Sequence, residues 1–249
     1  MKEISHPRLD FDTYVLRPET RCVMREAGDS LQQLYALGYL PYSGARELHN
    51  IFYDARSARI VVPRFELTSE NRRIAKKFDG QFTKKRVPIA NFKVDEAFVT
   101  FCLGYFAQKH GARAMPRERL ETIMHSGLIT TVVIYQSGAR TAAYVLEVRE
   151  GSIGHYWFSF YDLAYARQSL GLWLMLDCLR EAKASGLAYY YLGTVYGEKA
   201  LYKTNFEPLE WWDGTGWSGD RGLLKERSRS DNERMISHTD AQKAGVQHL

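Results

Sequence analysis

No stretch of this 249-residue chain holds the ~20 consecutive apolar residues that a membrane-spanning helix needs. The opening residues, MKEISHPRLDFD, lack the apolar core of a secretion signal. Cysteine is scarce. Cys22, Cys102 and Cys178 are odd in number and form no CxxC pair. That excludes a disulfide framework and points to reduced thiols in a cytoplasm. Cysteine and histidine are nowhere grouped at spacings that offer four ligands to a structural metal, so no metal is expected. The chain also has no internal repeat, which excludes solenoids and propellers.

What is present fits a globular protein: 45% of residues are hydrophobic and 25% charged. The length suits one large domain or two small ones, and about 70–75% of the unfolded surface can be buried without staples. The net charge of +5 is unevenly spread. Ten basic residues lie between Arg56 and Arg86, opposed only by Glu66, Glu70 and Asp79, so this segment is +7 and the rest is −2. Such a concentration suits a polyphosphate partner such as RNA, or is a solvated basic face. Arg72 and Arg73 stand at its centre.

Periodicity and punctuation give the coarse organisation. Asp29 or Ser30 caps a short helix that Gly38 ends. HNIFYDA and ARIVVPRF read as strands, and TSENRRIAKKF as a capped basic helix. Apolar residues recur at helical spacing from Val94 to Gln108, and PRERLETIMHSG is a second helix. LITTVVIYQ, TAAYVLEVR and IGHYWFSFYD are three successive strands. The apolar helix SLGLWLMLDCLREAKASG follows, then the strand AYYYLG, the short helix GEKALYKTNF and the strand PLEWWDG. The expected fold is α/β with a mixed sheet. A lobe carrying the basic patch is expected over residues 1–90, the main domain over 91–222, and a polar, disordered tail over 223–249.

The segment HYWFSFYDLAYARQSLGLWLMLDCL ends a strand at Tyr161-Asp162 and starts a helix near Ser169. Free N–H groups at a helix N-terminus attract phosphate or a developing oxyanion. The turn holds Gln168-x-x-Gly171-x-Trp173. It is similar to the Q/R-x-x-G-x-G/A turn with which acetyltransferases of the GNAT type cradle coenzyme A, with Trp173 at the second small position. That substitution predicts poor coenzyme A binding.

The resemblance widens over the next segments. Phe160-Tyr161-Asp162, Ser169-Leu170-Gly171, Tyr189-x-Tyr191-Leu192-Gly193, Lys199-x-x-Tyr202-Lys203 and Phe206-x-Pro208-x-Glu210 follow in order. Together they resemble the catalytic domain of the arginyl-tRNA–protein transferases and the bacterial aspartate/glutamate leucyltransferases. Gly38-Tyr39 with Ser43-Gly44, and ENRRIAKKF, are looser matches upstream. The chain departs from that pattern at Leu163, at Ala200 and in having no clustered cysteines before the VVPRF strand.

The resemblance implies a GNAT-like domain that uses the charged end of tRNA as co-substrate, with no further cofactor. A protein or peptide α-amine would attack the ester joining an amino acid, arginine or leucine, to the tRNA ribose. A group that accepts the amine's proton helps such a reaction. On this reading Asp162, Tyr161 and Ser169 are the catalytic candidates, with Asp162 the base or the holder of an ammonium group. Asp162 and Ser169 read equally as helix caps. The N–H groups of Leu170 and Gly171 would bind the terminal phosphates or the carbonyl oxygen. Tyr189 and Tyr191, on one strand face, would line the adenosine pocket, or one of them would stack in the core, and Gly193 would be among the residues that bind substrate or tRNA. Lys199, Tyr202 and Lys203 would bind tRNA or an acidic acceptor, the lysines sharing a helix face. His155 reads as structural, and the tryptophans as core or pocket wall. The alternatives are an acyl-CoA N-acyltransferase of the same fold, a non-catalytic RNA-binding protein with a degenerate transferase fold, or an aminoacyl-tRNA-dependent enzyme that modifies a dedicated peptide or small molecule.

Overall fold

In a computed structural model, residues 1–4, 20–44, 50–111 and 113–231 are described. A small antiparallel sheet comes first. It holds β1 (Lys2–Ile4), β2 (Cys22–Met24), β3 (Tyr39–Pro41) and β4 (Ile51–Asp54) in the order β1-β2-β4-β3. Helix α1 (Leu31–Ala36) crosses it, started by a capping box between Ser30 and Gln33.

The large sheet contains eight strands: β5 (Ser57–Val61), β6 (Thr83–Pro88), β7 (Thr131–Ser137), β8 (Arg140–Glu150), β9 (Ile153–Tyr161), β10 (Tyr189–Thr194), β11 (Leu209–Trp212) and β12 (Trp217–Ser218). Their order is β12-β11-β5-β10-β9-β8-β7-β6. Among the described strands, β9 and β10 form the one parallel pair. A parallel pair needs a crossover, and α5 (Leu170–Ala184) supplies it. One face of the sheet carries α5 and α2 (Ser69–Phe78), whose core includes Ile74, Phe78, Trp173, Leu174 and Cys178. The other face carries α3 (Glu96–His110) and α4 (Arg117–Met124), with Phe98, Cys102 and Leu120 against Phe160.

The expected mixed α/β architecture is observed, but the first 90 residues divide differently. Only residues 2–54 supply the small sheet. Strand β5 lies between β10 and β11 inside the large sheet, and β6 forms its edge on β7. Four of the five residues of β5 are buried. That demands cover on both faces, which a peripheral lobe cannot give. β6, Thr-Lys-Lys-Arg-Val-Pro, escaped the sequence reading because edge strands carry the charges and proline that otherwise mark loops.

The tail also begins later than expected. Residues 221–231 are helical, here α6, with Leu224 fully buried. Asp231 accepts hydrogen bonds from Arg56 and from the Gly197 N–H, at 2.6 and 3.0 Å. The rest of the expected tail lies outside the described residues. Leu224→Ala should therefore cost ~2–5 kcal/mol of stability, read as a lower urea midpoint. A surface tail would show no change.

Candidate active site

Strands β9 and β10 pair over only three residues, Ile153–His155 with Tyr189–Tyr191. β9 continues to Tyr161 and β10 to Thr194 with no further pairing between them. The β9–β10 pairing stops just before Gly193, where φ is +79° and where β10 also shifts register against β5 on its other side. Beyond His155, β9 therefore presents an unpaired backbone edge inside the molecule, which a ligand or water must satisfy. A cleft of about 880 Å³ opens there. Its walls include Tyr105 and Phe106 of α3, Trp157, Phe158 and Tyr161 of β9, and Tyr202 after β10.

The N-terminus of α5 points into this gap. Ser169 adopts a left-handed conformation, φ 71° and ψ 33°, the one non-glycine residue to do so among those described. Such a conformation costs of order 1–3 kcal/mol. Ser169 makes no side-chain cap. Its carbonyl accepts from Leu172 and Trp173, both at 3.1 Å, and no backbone acceptor meets the N–H groups of Leu170 and Gly171. A Cβ at Gly171 would lie 2.9 Å from the Tyr161 ring, so glycine here admits the tyrosine at the mouth of the turn.

The ionisable groups lining the cleft include Lys109, His110, Arg119, His155, Lys199 and Lys203; among the described residues no carboxylate lines it. His155 is 2% exposed. Its Nδ1 is 2.8 Å from the Tyr35 hydroxyl of α1, and its Nε2 has no partner. Burial, with Lys203 nearby, holds its imidazole down to about 3, so it is neutral. Lys203 is also buried, donates to the Thr194 carbonyl at 2.6 Å, and is lowered by burial to about 7.

Several expected site residues stand elsewhere. Asp162 is not in the cleft wall. Its carboxylate accepts from the Ala164 N–H at 2.9 Å, capping the 3₁₀ turn Leu163–Gln168, and pairs with Arg140 at 2.7 Å. Tyr189 and Tyr191 do share a face, but it packs on the small sheet, where Tyr191 is 1% exposed and Arg59 lies 3.9 Å over the Tyr189 ring. Lys199 and Lys203 do not share a face. The segment Glu198–Asn205 is a 3₁₀ helix, in which residues three apart eclipse and residues four apart diverge. Lys199 is exposed and Lys203 buried. Trp173 does not fill the turn. Its indole lies on the far side of α5, against Phe78, Phe82 and Tyr135, and donates to Asp79 at 2.9 Å.

Tyr161, Ser169, Gly171, Gly193, Lys199, Tyr202 and Lys203 do meet around the cleft. Sequence reasoning undervalued His155, because a lone strand histidine has no local signal; only its unpartnered Nε2 marks it. The basic segment disperses. Arg56, Arg59, Lys84 and Arg86 pair with Asp231, Glu210, Asp177 and Glu147. On α2, Arg73 pairs with Glu70, while Arg72, Lys76 and Lys77 stay exposed. Among the described residues, no three His, Cys, Asp or Glu side chains cluster as a metal site, and no helix is long and apolar enough to cross a membrane.

The depressed His155 has a consequence for stability. The unfolded chain takes up a proton near the ordinary histidine value, whereas the folded chain resists until about 3. Stability from this group is complete above that ordinary value and is lost as pH falls toward 3. His155→Gln should therefore lose less stability than the parent between pH 6.5 and 3.5, roughly the range bounded by the two values. Urea midpoints measured across that range check it; parallel curves would mean that His155 is charged in the fold.

Residues 89–204 match the family model described as an acetyltransferase (GNAT) domain. The aspartate/glutamate leucyltransferase of Methylorubrum populi is 30% identical over 179 residues, covering 65% of this chain and 70% of that protein. The aspartate/glutamate leucyltransferase of Parvibaculum lavamentivorans is 30% identical over 195 residues, covering 72% and 78%. That of Sinorhizobium medicae is 44% identical over 85 residues, 33% of this chain and 30% of its own. With a parallel strand pair that parts over the N-terminus of a crossover helix, and with these relatives, the chain belongs to the aspartate/glutamate leucyltransferase family of aminoacyltransferases.

Proposed function

We propose that the protein transfers leucine from leucyl-tRNA to the α-amine of proteins or peptides that begin with Asp or Glu. The observation that carries this reading is the cleft's charge. Its described lining is aromatic and basic, with no carboxylate. An arginyl donor would leave its guanidinium among cations and unpaired, a costly burial. A leucyl side chain instead meets Tyr105, Phe106 and Phe158. An acidic first residue of the acceptor finds Lys199 at the rim, and the tRNA end finds the free N–H groups of α5.

The reaction is aminolysis of an ester that is already activated, so the protein's task is to position the partners and exclude water. The unpaired edge of β9 can hold the donor's backbone groups. The N–H groups of Leu170 and Gly171, which no backbone acceptor meets, would stabilise the carbonyl oxygen as it becomes an oxyanion. The tRNA body would reach Arg72, Lys76 and Lys77, exposed on α2. No bound cofactor is needed. A second reading, acyl-CoA as donor, is favoured by the position of Trp173, which leaves the phosphate turn unblocked.

The test is transfer from tRNA charged with leucine or arginine, or from acetyl-CoA, to peptides beginning with Asp, Glu, Lys or Ala. Mass gain on the peptide is measured. Gain on Asp and Glu peptides from leucyl-tRNA is expected; preference for arginyl-tRNA, or transfer only from acetyl-CoA, would overturn the reading. Lys199→Glu should raise KM for an Asp-initiated peptide by about tenfold through like-charge repulsion, with kcat changed less. Arg72, Lys76 and Lys77 changed together to Ala should weaken tRNA binding and flatten its salt dependence. An unchanged salt slope would make α2 a solvated face.

A further inference from the structure

A cleft without a described carboxylate raises a question of protons. Attack by an amine on an ester produces an ammonium centre that must lose a proton, and a ribose oxygen that must gain one. Asp162 is committed to Ala164 and Arg140. The titratable side chains that line the gap are Tyr53 from β4, Tyr105, Lys109 and His110 from α3, Arg119 from α4, His155, Tyr156 and Tyr161 from β9, and Lys199, Tyr202 and Lys203 beyond β10. Lys109, His110 and Lys199 are exposed. Arg119 donates to the Ser43 carbonyl and hydroxyl and to the Ala114 carbonyl. Two buried nitrogens remain at the point where β9 and β10 part. A Cβ at Gly193 would lie 3.6 Å from Lys203 Nζ and 3.9 Å from His155 Nε2. Both residues line the cleft, and the absence of a side chain at Gly193 leaves room beside the two nitrogens.

We propose that Lys203 is the catalytic residue that carries the proton from the attacking α-amine to the departing ribose oxygen, with His155 Nε2 beside it binding that amine. This rests on the leucyl-transfer reading. One N–H of the lysine is fixed on the Thr194 carbonyl, which leaves a neutral amine its lone pair and one further N–H to offer a ligand in the cleft. The 3₁₀ helix that carries it is held at both ends. The Gly197 N–H donates to Asp231, and the Asn205 carbonyl accepts from Asn71 of α2 at 3.2 Å. The steps balance. The neutral α-amine adds to the ester carbonyl, and its surplus proton passes to Lys203. The carbon–oxygen bond to the ribose then breaks as Lys203 returns that proton to the leaving oxygen, giving an amide and a free hydroxyl with the lysine neutral again. Burial that holds this amine to about 7 makes it available near neutral pH. The surrounding cations also favour the neutral form of the bound substrate amine.

The test compares the wild-type chain with Lys203→Met, Lys203→Arg and Lys203→Ala in single-turnover transfer from leucyl-tRNA to an Asp-initiated peptide. Lys203→Met and Lys203→Arg should each slow peptide formation by roughly 10²–10⁴-fold, with charged-tRNA affinity and thermal midpoint near those of wild type. Added methylamine should partly restore peptide product in Lys203→Ala, because a small amine can enter the vacated space and shuttle the proton. The proposal is overturned if Lys203→Met transfers within a few-fold of wild type. A rate loss matched by an equal loss of tRNA affinity, with no rescue by methylamine, also overturns it, since that marks a phosphate contact. Normal transfer by Lys203→Arg would do the same. Failure of the wild-type chain to transfer leucine overturns the function itself and the role with it, whereas an active wild type with an active Lys203→Met variant removes the role alone.

Discussion

Two parallel strands that begin paired and then separate are the constraint on which the site depends. Backbone N–H and C=O groups inside a protein must be satisfied, and β9 beyond His155 leaves a row of them open toward β10. The separation is built in locally. The pairing stops after three residues, just before Gly193 with its positive φ, and the crossover helix α5 returns the chain so that its N-terminus lies in the gap. The left-handed Ser169 withholds a side-chain cap from that helix. An unpaired strand edge and an uncapped helix end, each a liability alone, become a polar cradle when they face one another.

Charge completes the cradle by a process of elimination. The chain has many carboxylates, but the described ones near the site are used structurally. Asp162 holds a turn and Arg140; Glu210 holds Arg59; Asp231 holds Arg56 and the loop before Lys203. Glu147, fully buried, gathers Arg86, Arg149 and the Tyr190 hydroxyl beneath the sheet. What remains in the cleft is basic and aromatic. The proposed preference for an apolar donor side chain and an acidic acceptor rests on where the acids have gone as much as on where the bases remain.

The segments that resemble the transferase family proved informative about kinship and less so about individual roles. Tyr191 belongs to such a segment, yet it is a core residue whose hydroxyl meets Arg59 and whose ring packs edge-on to Tyr35. Gly171 is there because the Tyr161 ring needs the room. Ser43 holds the buried Arg119. Each position is tied to its place for reasons of volume or hydrogen bonding, so a motif can persist through positions that need never touch substrate.

The sequence by itself determined the order of the elements from α1 to β11 apart from the strands β3 and β6, the presence of caps at the starts of α1 and α2, the helix–strand alternation around α5 and the membership of the family. These rest on short-range physics: apolar period, capping chemistry and turn residues act within a few positions. Tertiary structure decided what long-range contacts control. It placed β5 and β6 in the large sheet and docked α6. It turned Trp173 away from the phosphate turn and Tyr189 and Tyr191 toward the small sheet. It also wound Glu198–Asn205 as a 3₁₀ helix, which buried Lys203 while leaving Lys199 exposed. Burial and partnership depend on residues far away in the chain, and they are what separate His155 and Lys203 from other histidines and lysines. The same residues on a solvated surface would not have their proton affinities lowered by burial.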